Sequence, residues 1–181
     1  MKRSCSIPTV RLTTAAVCIA LCVVLPMAFH SIPDGGSIFL PMHLPVLLCG
    51  MLCGWPLGGV CGLLGPLLSS LITSMPPAAY LPSMMVECCV YGLVSGLMLR
   101  LVHTRRLYAD LYIALICAMV AGRVVSGLAK ALLFSPGLAL SAWVASSFVT
   151  ALPGIVLQLV LLPVVVRTLM KARVIPARYA V

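Results

Sequence analysis

The chain has 181 residues, of which 62% are hydrophobic and only 8% charged. A water-soluble domain carries about 25% charged residues, so this composition excludes a surface facing water on all sides. Asp34, Glu87 and Asp110 are its only acids, and the formal net charge is +9. The whole chain, residues 1–181, reads as a single all-α integral membrane domain.

Six segments are apolar enough to be membrane helices, which need about 20 such residues, or fewer when sheltered by neighbours. The first, 10–29, has Lys2, Arg3 and Arg11 at its N-terminal end and resembles a signal peptide. It lacks a small-x-small cleavage site, so a retained helix is expected. Ala16 and Ala20 on it form a small-xxx-small pair, a pattern that brings helices close in lipid. Such a pair faces either the bundle interior or another subunit.

The second segment, 40–54, is short and bounded by Pro41 and Pro56, which suits a tilted or partly embedded helix; His43 opens it. The third, 57–75, carries Gly58 and Gly62, continues the four-residue spacing from Gly54, and holds Ser69, Ser70 and Thr73. The fourth, 82–101, contains "PSMMVECCVYGLVSG", which sets Glu87 among apolar, small and sulfur-bearing residues ahead of Tyr91, Gly92 and Gly96. The fifth, 108–130, pairs Ala118 with Gly122 and then carries Arg123 and Lys130. The sixth, 142–167, includes Ser146 and Ser147.

Ten of the twelve cations flank these segments: three at the N-terminus, Arg100, Arg105 and Arg106 in one loop, and Arg167, Lys171, Arg173 and Arg178 near the C-terminus. That is the distribution of topology signals, not of a nucleic-acid surface. Placing every basic cluster in the cytoplasm requires six crossings with both termini inside. The loops 30–41, 75–81 and 131–141 then lie outside, and they hold the Gly- and Pro-rich turn sequences.

An ionisable residue at membrane depth is expensive and normally faces the protein interior with a partner. Glu87 lies about five residues, or ~8 Å, from the outer end of its segment, and Arg123 about seven residues, or ~10 Å, from the outer end of its own. Their depths match. Lys130 is close to two turns beyond Arg123 on roughly the same face. With His43, Ser70 and Tyr91 they make an outer polar layer above an inner half that is nearly all aliphatic. Glu87 and Arg123 form either a packing ion pair or the lining of a ligand cavity, and the two are compatible. A channel or midplane carrier would need polarity through both leaflets.

Eight of the nine cysteines fall in apolar runs, where cysteine acts as a small hydrophobe. Cys49 and Cys53 share a helix face near His43, but no CxxC pair supports a metal site. No metal or cofactor is expected.

The stretches "FLPMHLPVLLCGMLCGWPLGGVCGLLGPLLSSLITSMPP", "LPSMMVECCVYGLVSGLM", "AGRVVSGLAKALL" and "ALPGIVLQLVLLPVVV" resemble the substrate-binding S components of energy-coupling-factor (ECF) vitamin transporters. The likeness covers roughly residues 10–170. It implies a six-helix protein of a bacterial cell membrane that binds a vitamin or related micronutrient near its outer face. It further implies no ATP hydrolysis by this chain, a transmembrane coupling (T) subunit with two cytoplasmic ATPases as partners, and contact with the T subunit through Ala16 and Ala20. No phosphate-binding GxxxxGK[ST] loop is present.

The family varies its binding residues with its ligand. The candidates His43, Ser70, Glu87, Tyr91, Arg123 and Lys130 therefore rest on the depth argument. Two cations against one glutamate favour an anionic or zwitterionic ligand, with pantothenate, a folate-like compound or a pyridoxal-type compound all compatible. The alternative is a self-sufficient secondary carrier coupled through Glu87. It lacks a second acidic relay member and an inverted repeat. An intramembrane enzyme is disfavoured because the three histidines, His30, His43 and His103, are scattered.

Overall fold

The computed structural model describes residues 7–29, 35–131 and 145–172. Within them the chain is an all-helical membrane bundle: α1 (Ile7–Ala28), α2 (Gly35–Phe39), α3 (His43–Cys53), α4 (Trp55–Thr73), α5 (Leu81–Leu101), α6 (Leu107–Ala129) and α7 (Leu152–Lys171). A π-helical turn, Ala145–Thr150, leads into α7. Five helices, α1, α4, α5, α6 and α7, are long and apolar enough to cross a membrane.

The second expected segment is a broken one. α3 has 11 residues, so it rises ~16 Å, about half of a ~30 Å hydrocarbon layer. α2 and the connection 40–42 precede it, with Leu40 in a left-handed conformation at φ 50° ahead of Pro41. The exit from α3 is equally abrupt. Gly54, at φ 92°, is the sole residue between α3 and α4, and glycine takes that conformation without the penalty a Cβ brings. The sixth segment is also divided, the π-helical turn giving way to α7 at Ala151. Its expected start at 142–144 lies outside the described residues, as do parts of the loops 30–41 and 131–141.

α3 occupies the middle of the bundle, packed on α1, α4, α5 and α7, while α5 lies between α4 and α6. His43, Pro45, Val46, Leu47, Cys49, Gly50 and Cys53 of this short helix are buried. Lipid is as apolar as leucine, so helices associate by close packing rather than by escaping water. The small residues provide that packing. A Cβ on Gly92 would strike the carbonyl oxygen of Gly58, and one on Gly58 or Gly50 would strike that of Gly92. Gly62 lies against the backbone of Cys88 and Cys89, and Gly96 against Trp55 and the Gly50 carbonyl. Three helices thus meet at backbone contact along α3, α4 and α5.

The thiols fill the same interfaces. Cys18, Cys22, Cys49, Cys53, Cys61 and Cys88 are buried as free cysteines. Cys22 approaches the Met42 carbonyl at 3.8 Å, Cys49 that of Leu57 at 3.6 Å and Cys53 that of Arg11 at 3.3 Å. Weak S–H donors thereby tie α1, α3 and α4 together without burying an unmatched polar group.

The helices alternate in direction, so α1 begins and α7 ends at one end of the bundle. Arg11, Arg100, Arg105, Arg106, Arg167 and Lys171 gather there. Asp110 is fully buried at that end and accepts from the Thr104 backbone N–H at 2.9 Å and the Thr104 hydroxyl at 2.6 Å. Arg167 donates to the Tyr108 hydroxyl and lies over its ring, 5.2 Å from the centroid. This is the basic end. The opposite end, carrying His43, Thr73, Leu81 and Ala129, is the His43 end.

Candidate functional site

A polar layer sits one turn beyond the apolar core toward the His43 end. Val46, Leu47, Tyr91, Leu115, Ala118 and Leu162 belong to one buried cluster contributed by α3, α5, α6 and α7. Four residues from Leu47, Tyr91 and Leu162, on the same helical faces, stand His43, Glu87 and Gln158. Five residues beyond Ala118 stands Arg123. His43, Arg123 and Gln158 are buried, at 1%, 3% and 0% exposure, and the Glu87 side chain is 15% exposed.

Glu87 is the hub. Tyr91, one turn further along α5, donates its hydroxyl to Glu87 Oε1 at 2.8 Å. His43 Nε2 of α3 comes within 3.7 Å of the same oxygen. The His43 and Tyr91 rings are 5.1 Å apart between centroids and tilted by 58°, so α3 and α5 share one small polar and aromatic contact. The Arg123 charge is near enough to act on both Glu87 and Tyr91.

The reason Arg123 comes so near is its neighbour. A Cβ on Gly122 would overlap the Tyr91 ring and lie 3.2 Å from the Glu87 carbonyl oxygen. The absence of a side chain at Gly122 lets α6 approach α5 at the Glu87 level. The Ala118–Gly122 spacing seen in the sequence therefore falls where α6 meets α5, and Arg123 follows that contact directly. His43 Nδ1 and both polar atoms of Gln158 have no hydrogen-bond partner among the described residues. Buried polar groups are nearly always hydrogen-bonded, so their state here calls for a functional explanation.

Of the candidates read from the sequence, His43, Glu87, Tyr91 and Arg123 are brought together. Ser70 is not one of this group: its hydroxyl donates to the Pro76 carbonyl at 2.9 Å, while Ser69 donates to Met75 at 2.8 Å, so both hold the 74–80 loop. Lys130 caps α6, half-buried, seven residues past Arg123, or ~10 Å along the axis. Ala16 and Ala20 are exposed on α1, whose opposite face buries Ala15, Cys18 and Cys22. The side chains of Ser146 and Ser147 lie outside the described residues. Gln158 was missed, although it is the only glutamine in a chain that has no asparagine. A lone amide inside an apolar run is a signal of the same kind as Glu87.

The sequence profile of a family described as ECF transporter, substrate-specific component, matches residues 10–166. The chain belongs to this family. No curated protein and no solved structure is similar enough to the S component to count as a match. The S component is thus a multi-pass membrane protein acting as the substrate-specific part of a transporter, and the short α3 and the buried polar layer lie within its matched span.

Proposed function

We propose that this S component captures a vitamin-like solute at the outer face of a bacterial cell membrane, in the layer formed by His43, Glu87, Tyr91 and Arg123. The observation that supports the reading most is the gathering of ionisable side chains at one level of the bundle, one turn outside an apolar core, with a buried histidine nitrogen still open to a partner. Keeping such groups at membrane depth is costly, and a ligand that bonds to them recovers the cost.

The basic end faces the cytoplasm, as the concentration of arginine and lysine there favours. The His43 end then faces outward, and both chain ends lie inside. Arg123 and Lys130 against Glu87 favour a ligand with an anionic group, such as a carboxylate held by the guanidinium. Ser69 and Ser70 shape the adjoining loop, and Lys130 stands at the mouth.

Transport requires partners. The chain associates with a T subunit through the exposed small residues Ala16 and Ala20 of α1, and two cytoplasmic ATPases supply the energy. Cells expressing the S component with T subunit and ATPases are expected to accumulate the solute that the purified protein releases on denaturation. Cells expressing it alone are expected to accumulate none. Proton-gradient-driven uptake by the S component alone would contradict this reading.

A further inference from the structure

Gln158 is fully buried on α7, and neither its carbonyl oxygen nor its amide nitrogen has a hydrogen-bond partner among the described residues. Among the described residues no neighbour requires an amide there. Its stripe on α7, Gly154, Gln158, Leu162 and Val166, is the buried face of the helix. Gly154 packs on the Ile38 and Phe39 carbonyls, five and four residues before His43, where a Cβ would lie at 2.7 and 2.8 Å, and Leu162 belongs to the same buried cluster as Leu47 and Tyr91. Gln158 is held between these two contacts, which fixes its level at that of His43, Glu87 and Arg123.

A leucine or methionine at this position would complete the apolar stripe, and a buried amide left without partners destabilises a fold. A side-chain carboxamide also has a specific recognition capacity, since it presents a donor and an acceptor side by side. We infer that Gln158 is a specificity-determining residue of the ligand site. It reads a solute edge on which an acceptor and a donor are adjacent, as in an α-hydroxyamide, whose hydroxyl and carbonyl lie side by side, or an aminopyrimidinone, while Arg123 holds a carboxylate of the same solute. This rests on the polar layer being the ligand site. It narrows the class to carboxylates that carry such an edge, and it disfavours pyridoxal-type compounds, which have no carboxylate.

The test uses the full-length protein in detergent, with radiolabelled pantothenate, folic acid and pyridoxal as probes in equilibrium dialysis. The wild type is expected to bind pantothenate or folic acid in preference to pyridoxal. Gln158→Met, of similar length but apolar, is expected to weaken that binding roughly 10- to 100-fold while leaving the thermal midpoint of the ligand-free protein unchanged or raised. A merely structural glutamine predicts the reverse, a lowered midpoint with affinity intact. Gln158→Leu also removes both polar atoms, and it supplies the same comparison should Gln158→Met not fold. Preferred binding of pyridoxal, or binding of neither amide-bearing probe, overturns the assignment. Unchanged affinity in Gln158→Met, with Arg123→Ala and Glu87→Gln weakened, overturns the role of Gln158 and leaves the site standing. Unchanged affinity in all three removes the site itself.

Discussion

Tyr91 donates to Glu87 from one turn away on α5, so this pair is built within a single helix and is then closed over by His43 from α3. A hydrogen bond to a charged group contributes about 1.5–3 kcal/mol. Tyr91→Phe keeps the ring that packs against Gly122 and removes only the hydroxyl. It is expected to lower stability by about that amount, read as a lower thermal midpoint in detergent. An unchanged midpoint would mean that the hydroxyl contributes nothing to the packing of α5. The single-residue features of the site were legible in the sequence to the extent that charge marked them. Glu87 and Arg123 stood out because anions and cations are scarce in this chain, and their common depth followed from counting along two helices. Gln158 escaped because it carries no charge. His43 and Tyr91 were legible as members of the same layer but not as direct partners of Glu87, since the contact to Tyr91 lies along one helix and that to His43 depends on where the short α3 sits.

At the scale of elements, the spacing of small residues did most to anticipate the packing. Gly54, Gly58 and Gly62 with Gly92 and Gly96 are the positions where α3, α4 and α5 touch at their backbones. Gly92→Ala places a methyl group against the Gly58 carbonyl, and overpacking of this kind costs about 1–3 kcal/mol or more. The expected result is a reduced thermal midpoint and a loss of monodisperse protein on gel filtration. Leu97→Ala, on an exposed position of the same helix, serves as the comparison and is expected to be nearly neutral. Equal behaviour of the two variants would show that the Gly92 contact is dispensable. Helix existence was legible from apolar run length, whereas the interruptions were only partly so. Pro41 and Pro56 marked the short second segment. The division between the Ala145–Thr150 turn and α7 has its marker in Pro153, in the first turn of α7, where proline suits a helix start.

At the scale of the whole molecule, charge and polarity separate along the bundle axis. Arginine and lysine collect at the basic end, and the buried polar layer lies toward the His43 end. Asp110 is the exception among buried acids, and Thr104 accounts for it by binding it into the 102–106 connection. The segregation was visible from the positions of the cations and the three acids alone, because a membrane imposes one axis on every helix. The nature of the ligand was not visible, since in the proposed site it depends on side chains from four helices. The account centres on their convergence, the proposed binding layer, to which α3, α6 and α7 each contribute one polar side chain and α5 two. Its most direct test is the amount of small molecule released, on denaturation, from the purified full-length protein, quantified by mass spectrometry against protein concentration. Wild-type protein is predicted to release one solute species in near-stoichiometric amount, and Glu87→Gln and Arg123→Ala protein, folded by gel filtration, to release at least roughly tenfold less of it, as loss of a charged hydrogen-bond partner implies. Release of the same solute in the same amount from all three proteins would contradict the account.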